Sequence, residues 1–211
     1  MNVSATPPAP NLARVVAPVR AWSRPGGGDV VAQVGPLAPL SDGPTQLRVV
    51  GDRTVAGRRW VKVLLARRPN GSAGWIAADR VRLRHTAYAV RIDRAARRLV
   101  VTRDGRPVRA ARIVVGAAAS PTPAGSFAIS ERLRGRPGDF TGNWILPLTA
   151  YSGTYRQFDG GPGRVAIHGR GGKSLADPLG SARSHGCVRV TNHMAAWLAT
   201  HLQPGVAVRI R

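Results

Sequence analysis

Arg164-Val165-Ala166-Ile167-His168-Gly169 and, one loop later, Ser184-His185-Gly186-Cys187-Val188-Arg189 are the stretches on which the reading of this chain turns. The first reads as a short strand running into a histidine. The loop between them, Arg170 to Arg183, is rich in Gly, Ser and Ala. Cys187 is the only cysteine, which excludes an internal disulfide and a cage of several cysteines. A thiol attacks carbonyls as its thiolate, and a neighbouring imidazole can take the proton and then stabilise the charge. A glycine beside it lets backbone N–H groups approach a developing oxyanion. Arg183 and Arg189 lie close in sequence and favour the thiolate or an acidic substrate. Two plainer readings stand beside this one. A lone cysteine is commonly a small buried hydrophobe. His168, His185 and Cys187 could also ligate zinc, but no H-x-E or C-x-x-C accompanies them, and no metal is expected.

Outward from this pair the chain is β-rich. Arg98–Thr102 and Val108–Val115 flank Asp104-Gly105, a strong hairpin signal because both turn positions want positive φ. Ser126–Ser130, Arg164–Ile167, Cys187–Val190 and Val206–Ile210 read as further short strands. One segment has a helical period: Met194, Trp197, Leu198 and His201 or Leu202, capped by Thr191 or Asn192 and stopped by Pro204-Gly205. Upstream, Arg14–Val19, Val30–Val34, Gln46–Val50, Trp60–Leu65 and Gly74–Ile76 are candidate strands broken by Gly- and Pro-rich turns. Five short strands in some seventy residues predict a small barrel. Met1–Pro10 has three prolines and no signal-peptide core, so residues 1–11 read as a disordered arm or linker end. A secretory signal would lie before it.

The 211 residues suit one or two domains, and 43% apolar content excludes disorder of the whole chain. No run approaches the ~18 apolar residues of a membrane span. The net charge of +22 comes from 32 basic and 10 acidic residues, and only Lys62 and Lys173 are lysines. The charge is spread: 13 basic and 4 acidic residues lie up to His85, 19 and 6 after it. No block of like charges marks a nucleic-acid tail. A basic globular surface suits some polyanion, such as nucleic acid, anionic lipid or an acidic bacterial wall, and charge alone does not choose among them. Aromatics are 5% of the chain, with no aromatic-rich nucleic-acid motif.

I-H-G, a loop, then S-H-G-C-V-R closely resembles the active-site signature of L,D-transpeptidase catalytic domains, the YkuD family. Val115-Gly116 and Ser120-Pro-Thr-Pro-Ala-Gly-Ser-Phe-Ala-Ile129 resemble that family's upstream segments, in the family's order. The stretch from Trp60 to Val81 resembles the end of a bacterial SH3-like domain. The resemblance implies a mainly β chain: a small SH3-like β-barrel over 12–85, then a transpeptidase-type β-sandwich over 86–211 with a short helix near its C-terminus. The short junction at His85–Thr86, with no Pro/Gly linker, implies modules that pack together or are closely tethered.

Carried over by motif, Cys187 is the nucleophile, His168 the general base and the Gly169 carbonyl its orienter. Backbone N–H groups of His185, Gly186 and Cys187 form the oxyanion hole. Arg189 either engages a substrate carboxylate or packs the Cys loop, and Ser184 is a local loop hydroxyl. His185 is the competing choice for base, since two residues from Cys187 on an extended chain its side chain points to the same face. Trp144, Tyr151 and Tyr155 are groove walls or ordinary half-buried aromatics, and His193 and His201 are surface residues. The implied activity is transfer of peptidoglycan stem acyl groups through a Cys thioester, with D-Ala release, 3→3 cross-links and carbapenem sensitivity. L,D-carboxypeptidase action, attachment of proteins to the wall, or a non-catalytic wall-binding protein are the alternatives. The implied setting is the cell envelope outside the cytoplasm, with stem peptides and an acidic wall as partners and no cofactor.

Overall fold

The computed structural model describes residues 9–211. The expected arm falls largely outside them. Among the described residues, seven strands form the first sheet: β1 (Leu12–Val15), β2 (Val19–Arg24), β3 (Gly27–Val34), β4 (Gln46–Val55), β5 (Arg58–Leu64), β6 (Ala73–Ala77) and β7 (Val81–Arg84). They are antiparallel in the order β3-β2-β6-β5-β4-β1-β7. The expected closed barrel is not formed, because edge strands β3 and β7 do not pair. The sheet turns through β4, whose Gln46–Arg48 pair with β1 and whose Val49–Val55 pair with β5 across a bulge before Gly51. Pro18 falls in the break that divides the expected Arg14–Val19 strand into β1 and β2. Ala13, Val15, Ala21, Val61, Val63 and Ile76 fill its core.

The remainder supplies β8 (Tyr88–Asp93), β9 (Arg98–Arg103), β10 (Arg106–Arg112), β11 (Val115–Gly116), β12 (Gly125–Ala128), β13 (Leu133–Arg134), β14 (Trp144–Tyr151), β15 (Arg164–His168), β16 (Ala182–Ser184), β17 (Val188–Arg189), helix α1 (Asn192–His201) and β18 (Ala207–Ile210). Asp104 and Gly105 both have positive φ, as the β9–β10 hairpin requires. A five-stranded sheet, β10-β9-β8-β18-β12, faces a four-stranded one, β13-β14-β15-β17. Alternate residues of each sheet meet in one core: Val90, Ile92, Leu99, Val101, Val208 and Ile210 against Leu146, Leu148, Val165, Ile167 and Val188. Helix α1 adds Met194, Ala195, Leu198 and Ala199 to that core, and the Thr191 hydroxyl caps it by accepting from Met194 N–H. No helix among the described residues is long and apolar enough to cross a membrane.

The two regions touch closely. Asn11 exchanges two 2.9 Å hydrogen bonds with the backbone of Thr86. The buried Glu131 carboxylate accepts from the N–H groups of Leu40 and Ser41 and from the Ser41 hydroxyl, and pairs with Arg164 at 3.3 Å.

Candidate active site

β15 and β17 run parallel in register Ile167↔Val188 and His168↔Arg189. Cys187 immediately precedes β17, so the pairing brings it beside the end of β15 that carries His168. Both side chains line one cavity of about 30 Å³, room for about one water molecule. Tyr155, Phe158 and His185 form its outer wall, with Phe158 and His185 ring centroids 5.2 Å apart and Tyr155 and His185 5.8 Å apart.

His168 is 1% exposed. Its Nδ1 lies 2.8 Å from the Gly169 carbonyl oxygen, which can only accept, so Nδ1 carries the proton and Nε2 is the basic nitrogen. Nε2 has no partner among the described residues. Burial lowers the His168 pKa to about 4, the Arg189 charge adding to this while the hydrogen bond to Gly169 opposes it. Burial likewise pushes the Cys187 thiol up, against a backbone hydrogen bond from Ala166 and the Arg189 charge. The pair therefore rests as neutral thiol and neutral imidazole. Nucleophilic acyl transfer with proton uptake by the imidazole is chemistry this arrangement supports.

The Cys loop is held by three hydroxyls. Ser184 Oγ donates to the Cys187 carbonyl at 2.6 Å and accepts from Gly186 N–H at 3.1 Å. Thr122 Oγ1 donates to the Gly186 carbonyl at 2.8 Å, and Ser120 Oγ to the Ser184 carbonyl at 3.3 Å. Gly186 has φ +118°, a conformation L side chains rarely adopt. Gly186 N–H is thus engaged, a departure from the expected three-donor oxyanion hole. The N–H groups of His185 and Cys187 have no acceptor among the described residues.

Arg189 is buried, and its Nη1 pairs with the Asp177 carboxylate from the preceding loop. His185 is exposed and packs tilted and edge-on against the aromatic wall, whereas His168 is buried and oriented. Tyr155 lines the cavity, but the Tyr151 hydroxyl donates to the Ala66 carbonyl at 2.7 Å and so faces the amino-terminal sheet. Trp144 packs under Arg134, 4.1 Å from its ring centre. His193 and His201 are exposed.

Sequence reasoning missed Asn192 as a site support. Its Oδ1 accepts from Asn143 and Arg170 N–H and its Nδ2 donates to the Arg170 carbonyl, holding the backbone that follows Gly169. A Cβ on Gly169 would stand 2.1 Å from that Oδ1, so a side chain there would displace the Asn192 amide. Asp177 and Phe140, edge-on to His168 at 6.0 Å, were also missed. Asp177 was signalled only by its place between the two motif stretches in a chain with few acids, and Phe140 by nothing local.

No curated protein matches the chain. Among solved structures, an L,D-transpeptidase from Mycobacterium tuberculosis is similar at 14% identity over 76% of this chain and 75% of its own, with TM-score 0.50. One from Mycobacterium smegmatis has 17% identity over 78% of this chain and 99% of its own, at TM-score 0.48. The Enterococcus faecium L,D-transpeptidase has 19% identity over 59% of this chain and 50% of its own, at TM-score 0.43. The chain thus spans about half the length of the Enterococcus structure. At 14% identity the likeness to the first of these speaks to fold alone. The family model of the L,D-transpeptidase catalytic domain, YkuD, matches residues 87–210, a span holding the whole sandwich together with His168 and Cys187. By that match, the chain belongs to the L,D-transpeptidase catalytic domain family.

Proposed function

We propose that the chain is a peptidoglycan L,D-transpeptidase in which Cys187 is the nucleophile, His168 the general base and the Gly169 carbonyl the orienter. The observation that carries this is the unpartnered Nε2 of His168 in the same small cavity as the thiol. The thiol attacks the carbonyl between the diamino acid and terminal D-Ala of a stem tetrapeptide. As the S–C bond forms, the proton passes from Sγ to Nε2. The oxyanion is met by the N–H groups of His185 and Cys187. His168 then returns the proton to the departing D-Ala amine, leaving a thioester on Cys187. An amine from a second stem attacks the thioester, His168 taking its proton, and the product is a 3→3 cross-link with the thiol restored.

Water in place of the amine gives an L,D-carboxypeptidase, and a protein amine gives attachment to the wall. The site is common to all three. Carbapenems acylate the same sulfur. The chemistry calls for no metal or organic cofactor, and the substrate places the enzyme outside the cytoplasm. We assign residues 12–85 to an SH3-like positioning module and 86–211 to catalysis. The strands carrying Trp60 and Trp75 support the first assignment, although their sheet is open.

Intact-mass analysis with a disaccharide-tetrapeptide and a carbapenem tests this reading. The wild type gains a carbapenem adduct and releases D-Ala, while Cys187→Ala does neither. Adduct formation on Cys187→Ala, or no D-Ala release from any stem by the wild type, rejects it. Loss of turnover in His185→Ala with turnover kept in His168→Ala would reassign the base.

A further inference from the structure

The outer wall of the cavity belongs to the hairpin loop between β14 and β15, residues 152–163, which carries Tyr155 and Phe158. Its base is the register pair Tyr151↔Arg164. Its internal hydrogen bonds are few: Ser152 N–H to the Gly163 carbonyl, a reciprocal pair between Phe158 and Gly161, and the Ser152 hydroxyl accepting from Thr154 and Tyr155 N–H. What holds it comes largely from the amino-terminal sheet, out of the connection between β5 and β6.

Arg68 in that connection reaches three main-chain oxygens of the hairpin. Nη1 donates to the Ser152 carbonyl at 2.8 Å, and Nη2 donates to Tyr155 at 2.8 Å and to Pro162 at 3.4 Å. These carbonyls stand on both arms of the loop, so one planar guanidinium ties the arms together. The same guanidinium lies 4.9 Å from the Tyr151 ring centre. Beside it, Asn70 exchanges two hydrogen bonds with the Tyr151 backbone, at 2.8 and 2.9 Å. Gly163 gives independent evidence of the tightness. Its φ is +67°, and a Cβ there would stand 2.2 Å from the Tyr155 carbonyl oxygen and 3.2 Å from Arg68 Nη2. The backbone has been kept bare where the guanidinium and the loop close on each other.

We propose that Arg68 is a positioning residue for the acyl-transfer site: through it the amino-terminal module fixes the 152–163 hairpin closed over Cys187. It touches neither the thiol nor His168 and acts through the carbonyls it gathers. This rests on the reading of Cys187 as nucleophile. It gives the amino-terminal module a role in the reaction apart from any contact with the wall.

The full chain carrying Arg68→Ala is compared with wild type and Arg68→Lys. Loss of Arg68 speeds amide hydrogen exchange at residues 153–162 by about tenfold or more while the amides of β1–β7 and β8–β9 keep their rates. It also speeds alkylation of Cys187 by a bulky maleimide and slows acylation by a carbapenem about tenfold, with a larger effect on the acylation rate than on binding. Arg68→Lys lies between, since one ammonium cannot serve three carbonyls in a plane. Wild-type exchange at 153–162 in Arg68→Ala overturns the proposal. So does faster exchange spread evenly over the whole chain, which would mark a merely structural contact. If Cys187→Ala still releases D-Ala, the nucleophile assignment falls by itself, and the exchange result still decides whether Arg68 holds the hairpin.

Discussion

His168 is kept uncharged by its surroundings while its proton position is fixed by one carbonyl, and these two facts set the pH behaviour of the site. With the thiol raised and the imidazole lowered to about 4, no thiolate–imidazolium pair is present at rest. Inactivation by iodoacetamide should therefore climb steadily from about pH 6 to about pH 9, because only thiolate reacts. A plateau beginning below neutrality would show a preformed ion pair instead. The same burial affects stability. The unfolded imidazole takes a proton near its ordinary 6.5 while the folded one resists until about 4. The contribution is complete above 6.5 and is lost as pH falls from 6.5 toward 4, on the order of 3 kcal/mol at 1.36 kcal/mol per unit. Urea titrations at pH 7 and pH 4.5 should show a smaller difference for His168→Gln than for wild type. At this scale the motif displayed Cys187, His168 and Gly169 in plain view. The motif favoured His168 over His185 only by resemblance; the physical reason, burial of His168 against exposure of His185, exists only once β15 and β17 are paired.

Among the elements, α1 was legible in full, since its cap, its apolar period and its Pro-Gly stop are local signals. The β9–β10 hairpin was legible for the same reason. β14 was not, although its residues from Leu146 onward are buried. Pro147 in its middle reads as a breaker, and the strand tolerates it beside a bulge that lies between Pro147 and Tyr151. The closure of the first sheet was misjudged because pairing between β3 and β7 depends on how far β4 bends, which no local pattern encodes. The start of α1 also carries a prediction. Asn192→Ala removes the side chain that holds the Arg170 backbone next to Gly169, so catalytic efficiency should fall about tenfold, with a loss of about 1 kcal/mol in stability, roughly the net worth of a hydrogen bond. Unchanged turnover would mean that the Gly169 carbonyl is placed by β15 alone.

Over the whole molecule, the spread of arginine places cationic groups on both modules. Several stack on aromatics, as Arg58 does over Trp60 and Arg134 over Trp144. Binding to an anionic wall polymer should weaken steeply as salt rises, as expected for a contact built on screened surface charge. Sedimentation with purified wall at low and high salt measures this, and salt-independent binding would point to shape instead. Where the modules meet, Glu131 serves both sides at once. Glu131→Ala should cost about 3 kcal/mol in urea denaturation, since Arg164 is left partly buried beside an empty place. Such long-range contacts were invisible in the sequence, which spaces Leu40 and Glu131 far apart.

The place of β18 has a consequence for the order in which the chain can fold. Ala207–Ile210 lies inside the five-stranded sheet, parallel to β8 on one side and antiparallel to β12 on the other. Ile210 pairs with Ile92, so the sheet stays split until almost the last described residue is available. The first sheet can fold as its strands emerge, but the sandwich must wait until Ala207–Ile210 has been made. Synthesis of the thiol and its partial burial are thereby separated in time: until β18 is in place, Cys187 sits on an unfinished scaffold.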